Sequence, residues 1–489
     1  MFRILIFLVL SLLMAETAYS RYDALMGNDG IPDLGNHPSY LPYYPAMLLP
    51  LFTVMLLVVL TPILGVVRAA DLSLSIFGGL FVHISLYYLV LLALMPHLRD
   101  RISARACALL WLIPNLFYLT MQTTVSPPRP WLIIPLPGHG WTLLLWVWLA
   151  GLVGVLAFHI VQHLRFRHRI LAPAVPATEP LTRYIWEEAL KEAGFRNPKY
   201  QLVISPEVKT PLSIGLLPRC TRVVLPTRSY TREELYWVIR HEVIHLARQD
   251  SWCKFFLLFC TAICWFNPLM WVAMRACAQD LELSCDETVL LFAHQSQRKE
   301  YAALLLNTAG DARGFTTCLS ASSTTLRRRL EQVLSPAARS SGAVVVGVLF
   351  FLAAITCGSV TLSYDTAPAA QVLYSAGDTA QYQADVIHLS PPHAQAENTP
   401  YTLTDPQAFH DYLSGLSLSR LMGTYTLPET DCSFFLEGLD NDFLIVISYQ
   451  VMEVTELGYD SSPTYYHISQ EVDWDYLLSL MEASPHSWT

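Results

Sequence analysis

Five apolar stretches limit what this chain can fold into more than any other feature: Tyr44 to Val67, Ile76 to Met95, Ala106 to Met121, Trp141 to Val161 and Gly342 to Val360. Crossing a hydrocarbon layer of roughly 30 Å takes about 20 helical residues, and a helix satisfies every backbone group of such a stretch away from water. The expectation is a polytopic α-helical membrane protein. Composition points the same way, with 53% hydrophobic and 15% charged residues and a mean hydropathy of +0.36. Membrane lipid is therefore an expected partner. Direct nucleic-acid binding is not expected, because a formal net charge of −9 offers no excess of cations to a phosphate backbone.

The stretches divide the chain into 1–43, four spans within 44–163, a polar block 164–341, a fifth span 342–361 and a tail 362–489. "HLRDRISARA", "HLRFRHRI" and "LRRRLEQVLSPAARS" are basic and abut span ends, which places them and the polar block in the cytoplasm. The tail has no lysine and Arg420 as its sole arginine, so it is expected outside the cell. Ile4 to Met14, preceded by Arg3 and followed by "AETAYS", resembles a signal peptide. Four spans before a cytoplasmic block start inside, whereas a cleaved leader leaves its chain outside, so the two readings exclude each other. Cys253, Cys260, Cys264, Cys277 and Cys285 lie in or beside apolar helical sequence with no CxxC pair, and read as buried thiols.

Within the polar block, "VIRHEVIHLARQD" carries His241 and His245 four residues apart with Glu242 directly after the first. Thr231 and Glu234 form a capping-box signature ahead of Leu235, Val238 and Ile239 at helical spacing, so the motif belongs on a helix. There the two imidazoles share a face and can bind one Zn²⁺, with Glu242 placed to take a proton from water. A chain of this length carries HExxH by chance in about one case in a hundred. A catalytic zinc needs a third protein ligand. "AQDLELSCDETVLL" offers Glu282, with Asp280 and Glu287 as competitors, and Asp286 to accept a hydrogen bond from a ligating histidine. For Glu282 to join the histidines, the apolar run Trp252 to Met274 has to fold back, and Pro268 is the expected break.

Taken in order, "SARACALLW", "TPLSIGLLPRCTRVVLP", "HEVIHLARQD", "WFNPLMW" and "ELSCDETVL" resemble the BlaR/MecR-type membrane zinc metallopeptidases, from about Ile76 to Val360. The resemblance implies a gluzincin-like α+β zinc metallopeptidase domain, with His241, His245 and Glu282 as ligands, Glu242 as base and Asp286 as the aspartate of an ExxxD pair. It also implies an endopeptidase acting on a cytoplasmic protein such as a transcriptional repressor, controlled by an extracellular part that senses a ligand. The chain departs from the antibiotic-sensing members in its tail, which lacks the lysine of an SxxK nucleophile motif. It also departs in the region before Ile76, including "RYDALMGNDGIPDLGNHPSYLPYYP". The rival function is a non-catalytic transmembrane receptor that retains a structural metal site.

The remaining segments give local expectations. "KYQLVIS" and "TRVVLP" read as strands, and an exposed strand beside the protease site, containing Val223 and Val224, would hold an extended substrate. "TTCLSASSTTLRRRL" reads as a linker and a basic helix whose Arg327, Arg328 and Arg329 anchor to the membrane surface or mark a site of self-processing. The tail reads as a small α+β domain, with "CSFFLEGL" and "DFLIVISYQVMEV" as strands and "DPQAFHDYLSGLSL" and "DWDYLLSLMEAS" as helices. Its His388, His393, His410 and His467 have no ligand spacing.

Overall fold

The computed structural model describes residues 2–26, 48–117, 131–136, 141–195, 199–216, 219–309, 323–334, 339–357, 359–374, 382–394, 399–422, 427, 430–438, 442–457 and 463–483. Residues 27–45 of the polar N-terminal stretch and 316–322 of the expected linker lie outside them. The first half of the chain forms α1 (Phe2–Met26), α2 (Leu48–Leu98), α3 (Ala104–Leu116), β1 (Leu132–Pro135), α4 (Trp141–Leu171), β2 (Val175–Pro176), α5 (Pro180–Glu192), β3 (Gln201–Ile204), β4 (Leu212–Ile214), β5 (Arg222–Leu225) and α6 (Arg232–Ala247). Then come α7 (Asp250–Ile263), α8 (Pro268–Val289), α9 (Gln295–Ala309), α10 (Ser323–Leu334), α11 (Ala343–Thr356), β6 (Val360–Pro368), α12 (Ala369–Leu373), β7 (Gln383–Leu389) and β8 (Thr399–Leu403). The chain closes with α13 (Pro406–Ser414), β9 (Ser417–Leu421), β10 (Cys432–Glu437), β11 (Phe443–Ser448), β12 (Val451–Glu456), β13 (Thr464–Ile468), α14 (Trp474–Ser479) and β14 (Met481–Ala483). These fall into two units, 1–54 with 84–119 and 146–355, and 55–83 with 120–145 and 356–489.

Among the described residues two helical segments are long and apolar enough to cross a membrane, Phe77–Leu98 and Leu143–Leu171. Over three other apolar stretches the helices differ in extent from the stretches themselves, and residues 118–121 lie outside the described ones. Ala106 to Met121 becomes α3, only 13 residues long, with Trp111, Leu112 and Ile113 fully buried. The Gly342 to Val360 stretch is a 14-residue helix, about 21 Å at 1.5 Å per residue, and Val360 already begins strand β6. Ile4 to Met14 belongs to the 25-residue α1, whose Phe7, Ser11 and Met14 recur at helical spacing and are buried. Gly347 of α11 lets α1 approach closely, since a Cβ there would stand 3.2 Å from the Ser11 carbonyl oxygen.

The first unit holds the HExxH helix. Its four-stranded sheet runs β2-β3-β5-β4, with β3 and β5 parallel and the outer pairs antiparallel. Val223 and Val224 of β5 are completely buried between two neighbours, so β5 is an inner strand and the outer strands are β2 and β4. Leu202 and Val223 of the sheet, Ile185, Trp186 and Leu190 of α5, and Leu235, Val238 and Ile239 of α6 share one apolar core. Trp252 to Met274 is not one helix. The α7 helix ends at Ile263, and α8 starts at Pro268, where a missing N–H costs nothing, under an N-cap from the Asn267 side chain to Leu269 N.

The second unit contains a ten-stranded sheet, β1-β6-β9-β13-β12-β11-β10-β7-β8-β14, antiparallel except for the β1–β6 pair. Phe409, Leu413, Phe434, Ile445, Met452 and Ile468 lie in its core. "DFLIVISYQVMEV" is two strands rather than one, because the chain reverses at Tyr449 and Gln450 so that Ser448 pairs with Val451. Tyr449 adopts φ 56°, and its N–H donates to Asp431 Oδ2. His410 bonds the Tyr374 hydroxyl at 3.0 Å, and His393 stacks on Trp474.

Candidate metal centre

The α6 helix starts as its sequence requires: Thr231 Oγ1 accepts from Glu234 N at 3.1 Å, and Glu234 Oε2 accepts from Thr231 N at 3.0 Å. The inward positions Leu235, Val238 and Ile239 orient the helix, and His241, Glu242 and His245 follow at its C-terminal half. The two Nε2 atoms lie 3.0 Å apart. Glu282, reached by the fold-back at Pro268, places Oε2 at 3.7 Å from His241 Nε2 and 3.6 Å from His245 Nε2.

Those separations fit zinc. Tetrahedral bonds of about 2.0–2.1 Å require donor atoms about 3.3 Å apart, and 3.0, 3.6 and 3.7 Å bracket that value. The electrostatics also favour a cation. Burial by itself lowers the pKa of both imidazoles, but Cys285 and Glu282 outweigh it, pushing His241 up to about 10 and His245 well above its usual range. Glu282 is held well below the usual carboxylate range despite burial, by Lys254 first and then the histidines. Lys254 Nζ bonds Glu282 Oε1 at 3.0 Å and leaves Oε2 for the histidine side.

A second trio, His241, His245 and Cys285, also has its ligand atoms within 4.8 Å of one another. Cys285 Sγ, however, approaches His241 at Nδ1, 3.7 Å away, whereas Glu282 Oε2 faces both Nε2 atoms. Burial raises its thiol, yet the two imidazoles prevail and bring it down to about 7. From the sequence Cys285 reads as one of a set of buried thiols, and it is buried.

The other acidic residues take separate places. Asp280 accepts from Arg99 Nε at 3.0 Å, Arg99 Nη2 at 2.9 Å and Trp111 Nε1 at 2.8 Å, and Glu287 accepts from Ala104 N at 3.1 Å. Neither faces the histidines. Asp286 Oδ1 stands 3.5 Å from His241 Nδ1, and the Tyr301 hydroxyl contacts both, 2.9 Å from Nδ1 and 2.6 Å from Oδ1. Arg329 grips the same carboxylate through Nε at 2.6 Å and Nη2 at 2.8 Å. It is thus turned inward, unlike Arg327, which is exposed and bonds Glu331 on its own helix. An anchor made of all three arginines does not describe α10.

Sequence reasoning missed Asp250, Tyr301 and Ser213. Asp250 Oδ2 lies 2.6 Å from His245 Nδ1, and Ser213 Oγ donates to Glu242 Oε2 at 2.6 Å from edge strand β4. The Asp250 signal was available in "HLARQD", where an acid follows the second histidine by five residues. Nothing local marked Tyr301 or Ser213.

Two helical histidines, an intervening glutamate and an acidic donor from a second helix define the site class of HExxH metallopeptidases. Residues 136–333 match the family model described as BlaR1 peptidase M56. The chain is 26% identical over 171 residues to "Regulatory protein BlaR1" of Bacillus licheniformis, a match covering 32% of this chain and 28% of that protein. It is 26% identical over 105 residues to "Methicillin resistance mecR1 protein" of Staphylococcus aureus and of Staphylococcus epidermidis, covering 21% of this chain and 18% of each relative. The chain therefore spans under a third of the length of the curated relatives it matches. Over the matched segment the chain is thus similar to the BlaR1 peptidase M56 domain, which supports a BlaR/MecR-type peptidase there.

Proposed function

We propose that the chain is a membrane zinc endopeptidase that cleaves a cytoplasmic protein, such as a transcriptional repressor, under control of its C-terminal unit and an extracellular ligand. The observation that carries this reading is the convergence of His241 Nε2, His245 Nε2 and Glu282 Oε2 within 3.7 Å, beside Glu242. These three residues would hold the zinc. When bound, zinc supplies Lewis-acid polarisation of the scissile carbonyl and acidifies water. Glu242 takes the proton from the attacking water and returns it to the leaving amine. Ser213 occupies one of its carboxylate oxygens and leaves the other for that transfer. The edge strand β4, already joined to Glu242 through Ser213, is placed to pair with an extended substrate. Phe77–Leu98 and Leu143–Leu171 support a membrane location. The basic flanks of the apolar stretches support a cytoplasmic peptidase domain, and the lysine-free tail an outer C-terminal unit.

Comparison of the wild-type chain with Glu242→Gln tests this. Both are expected to purify with one zinc, while new zinc-dependent protein N-termini arise in cells only with the wild type. The same N-termini in both would leave a non-catalytic receptor with a structural metal site.

A further inference from the structure

The inward stripe of α10 is Leu326, Leu330 and Val333, which pack on the core of the peptidase unit. Arg329 stands on that stripe at helical spacing, and its side chain is 14% exposed against 80% for Arg327. A guanidinium buried this far needs a matched anion, and Asp286 supplies one through two charge-assisted hydrogen bonds of 2.6 and 2.8 Å. Asp286 in turn accepts the Tyr301 hydroxyl proton at 2.6 Å. That phenol has one proton, so toward His241 it acts as acceptor, at 2.9 Å from Nδ1. Hydrogen-bond direction is therefore set along the whole series: His241 Nδ1–H donates to Tyr301, Tyr301 donates to Asp286, and Arg329 donates to Asp286. With the proton on Nδ1, the Nε2 lone pair is left for the metal.

We propose that Arg329 is a positioning residue for the metal centre, acting through Asp286 and Tyr301 on His241, so that a complete zinc site depends on α10 being seated. This rests on the zinc-peptidase reading above. The consequence is regulatory. The α10 helix is the last one before α11 in sequence, and α11 leads to β6 of the C-terminal unit. A displacement of α10 would withdraw the guanidinium, leave the Asp286 charge without its cation and loosen the carboxylate that orients the Tyr301 hydroxyl toward His241. The peptidase would lose metal affinity without any change in its own ligands.

The test uses the full chain in detergent, with zinc affinity read by chelator competition and the visible band of a Co²⁺-substituted sample as a second readout. Arg329→Gln is expected to weaken zinc binding about 10- to 100-fold, the range found when hydrogen-bonding partners of metal ligands are removed. Arg329→Lys should recover part of that loss, and Arg327→Gln, on the exposed face, none should be lost. Tyr301→Phe removes a single hydroxyl and should weaken binding to a similar degree. Adding Arg329→Gln to Tyr301→Phe should then cost little more, because both changes cut the same series. Wild-type zinc affinity and an unshifted Co²⁺ band in Arg329→Gln, or losses that simply multiply in the double variant, would overturn the proposal while leaving the metal site standing. A wild-type chain that binds no stoichiometric zinc would overturn the zinc-peptidase reading itself.

Discussion

His245 Nδ1 and Asp250 Oδ2 lie 2.6 Å apart, joined across the turn that ends α6 and starts α7. Gln249 makes the turn possible by adopting φ 55°, and so brings Asp250, 1% exposed, back onto the ring five residues earlier. The pair directs His245 Nε2 toward Glu282. Asp250→Asn is expected to lower zinc affinity about 10- to 100-fold, since the amide no longer compels the proton onto Nδ1. Chelator competition on purified protein measures it, and an unchanged affinity would show the contact to be structural only.

Glu282 is the acidic residue whose carboxylate meets both Nε2 atoms, while Asp280 neutralises Arg99 and Cys285 contacts His241 at Nδ1. Glu282→Ala should therefore purify without stoichiometric zinc. Cys285→Ser should keep its zinc. Asp280→Asn should also keep it but lose on the order of 3 kcal/mol of stability, because a largely buried guanidinium is left without its charge partner. Metal analysis and thermal denaturation of the three variants separate these roles; a zinc-free Cys285→Ser beside a zinc-bound Glu282→Ala would transfer the third ligand to sulfur.

Ser213 connects the edge strand to the base. Removing its hydroxyl should leave zinc in place and slow turnover about tenfold, as a hydrogen bond to a charged group is worth about 1.5–3 kcal/mol and part of it is replaced by water. Ser213→Ala kinetics with metal analysis check this, and loss of zinc would assign Ser213 to the centre's structure instead. Proline at Val223, by contrast, would remove a ladder hydrogen bond from a strand paired on both sides, which makes it a poor probe of edge pairing.

The tail shows why some local readings fail. A thirteen-residue apolar run without glycine or asparagine carries no hairpin signal, so "DFLIVISYQVMEV" reads as one strand. It turns at Tyr449 because the Asp431 carboxylate, eighteen residues away in sequence, receives the Tyr449 N–H. Strand β4 was likewise unreadable, since three residues are too few for an alternation to register.

By itself the sequence determined whatever a single helix or break can encode: the capped α6, the i and i+4 placement of His241 and His245, the start of α8 at Pro268, and an acidic donor on the helix that follows. Helix geometry sets those positions locally, at 3.6 residues per turn. Only the tertiary structure decided which atoms meet those side chains. Tyr301 reaches His241 across 60 residues of sequence, Arg329 reaches Asp286 across 43, and Ser213 reaches Glu242 across 29. Such contacts depend on how α9, α10 and the sheet pack on α6 and α8, and that packing is driven by apolar burial, which carries no local spacing rule.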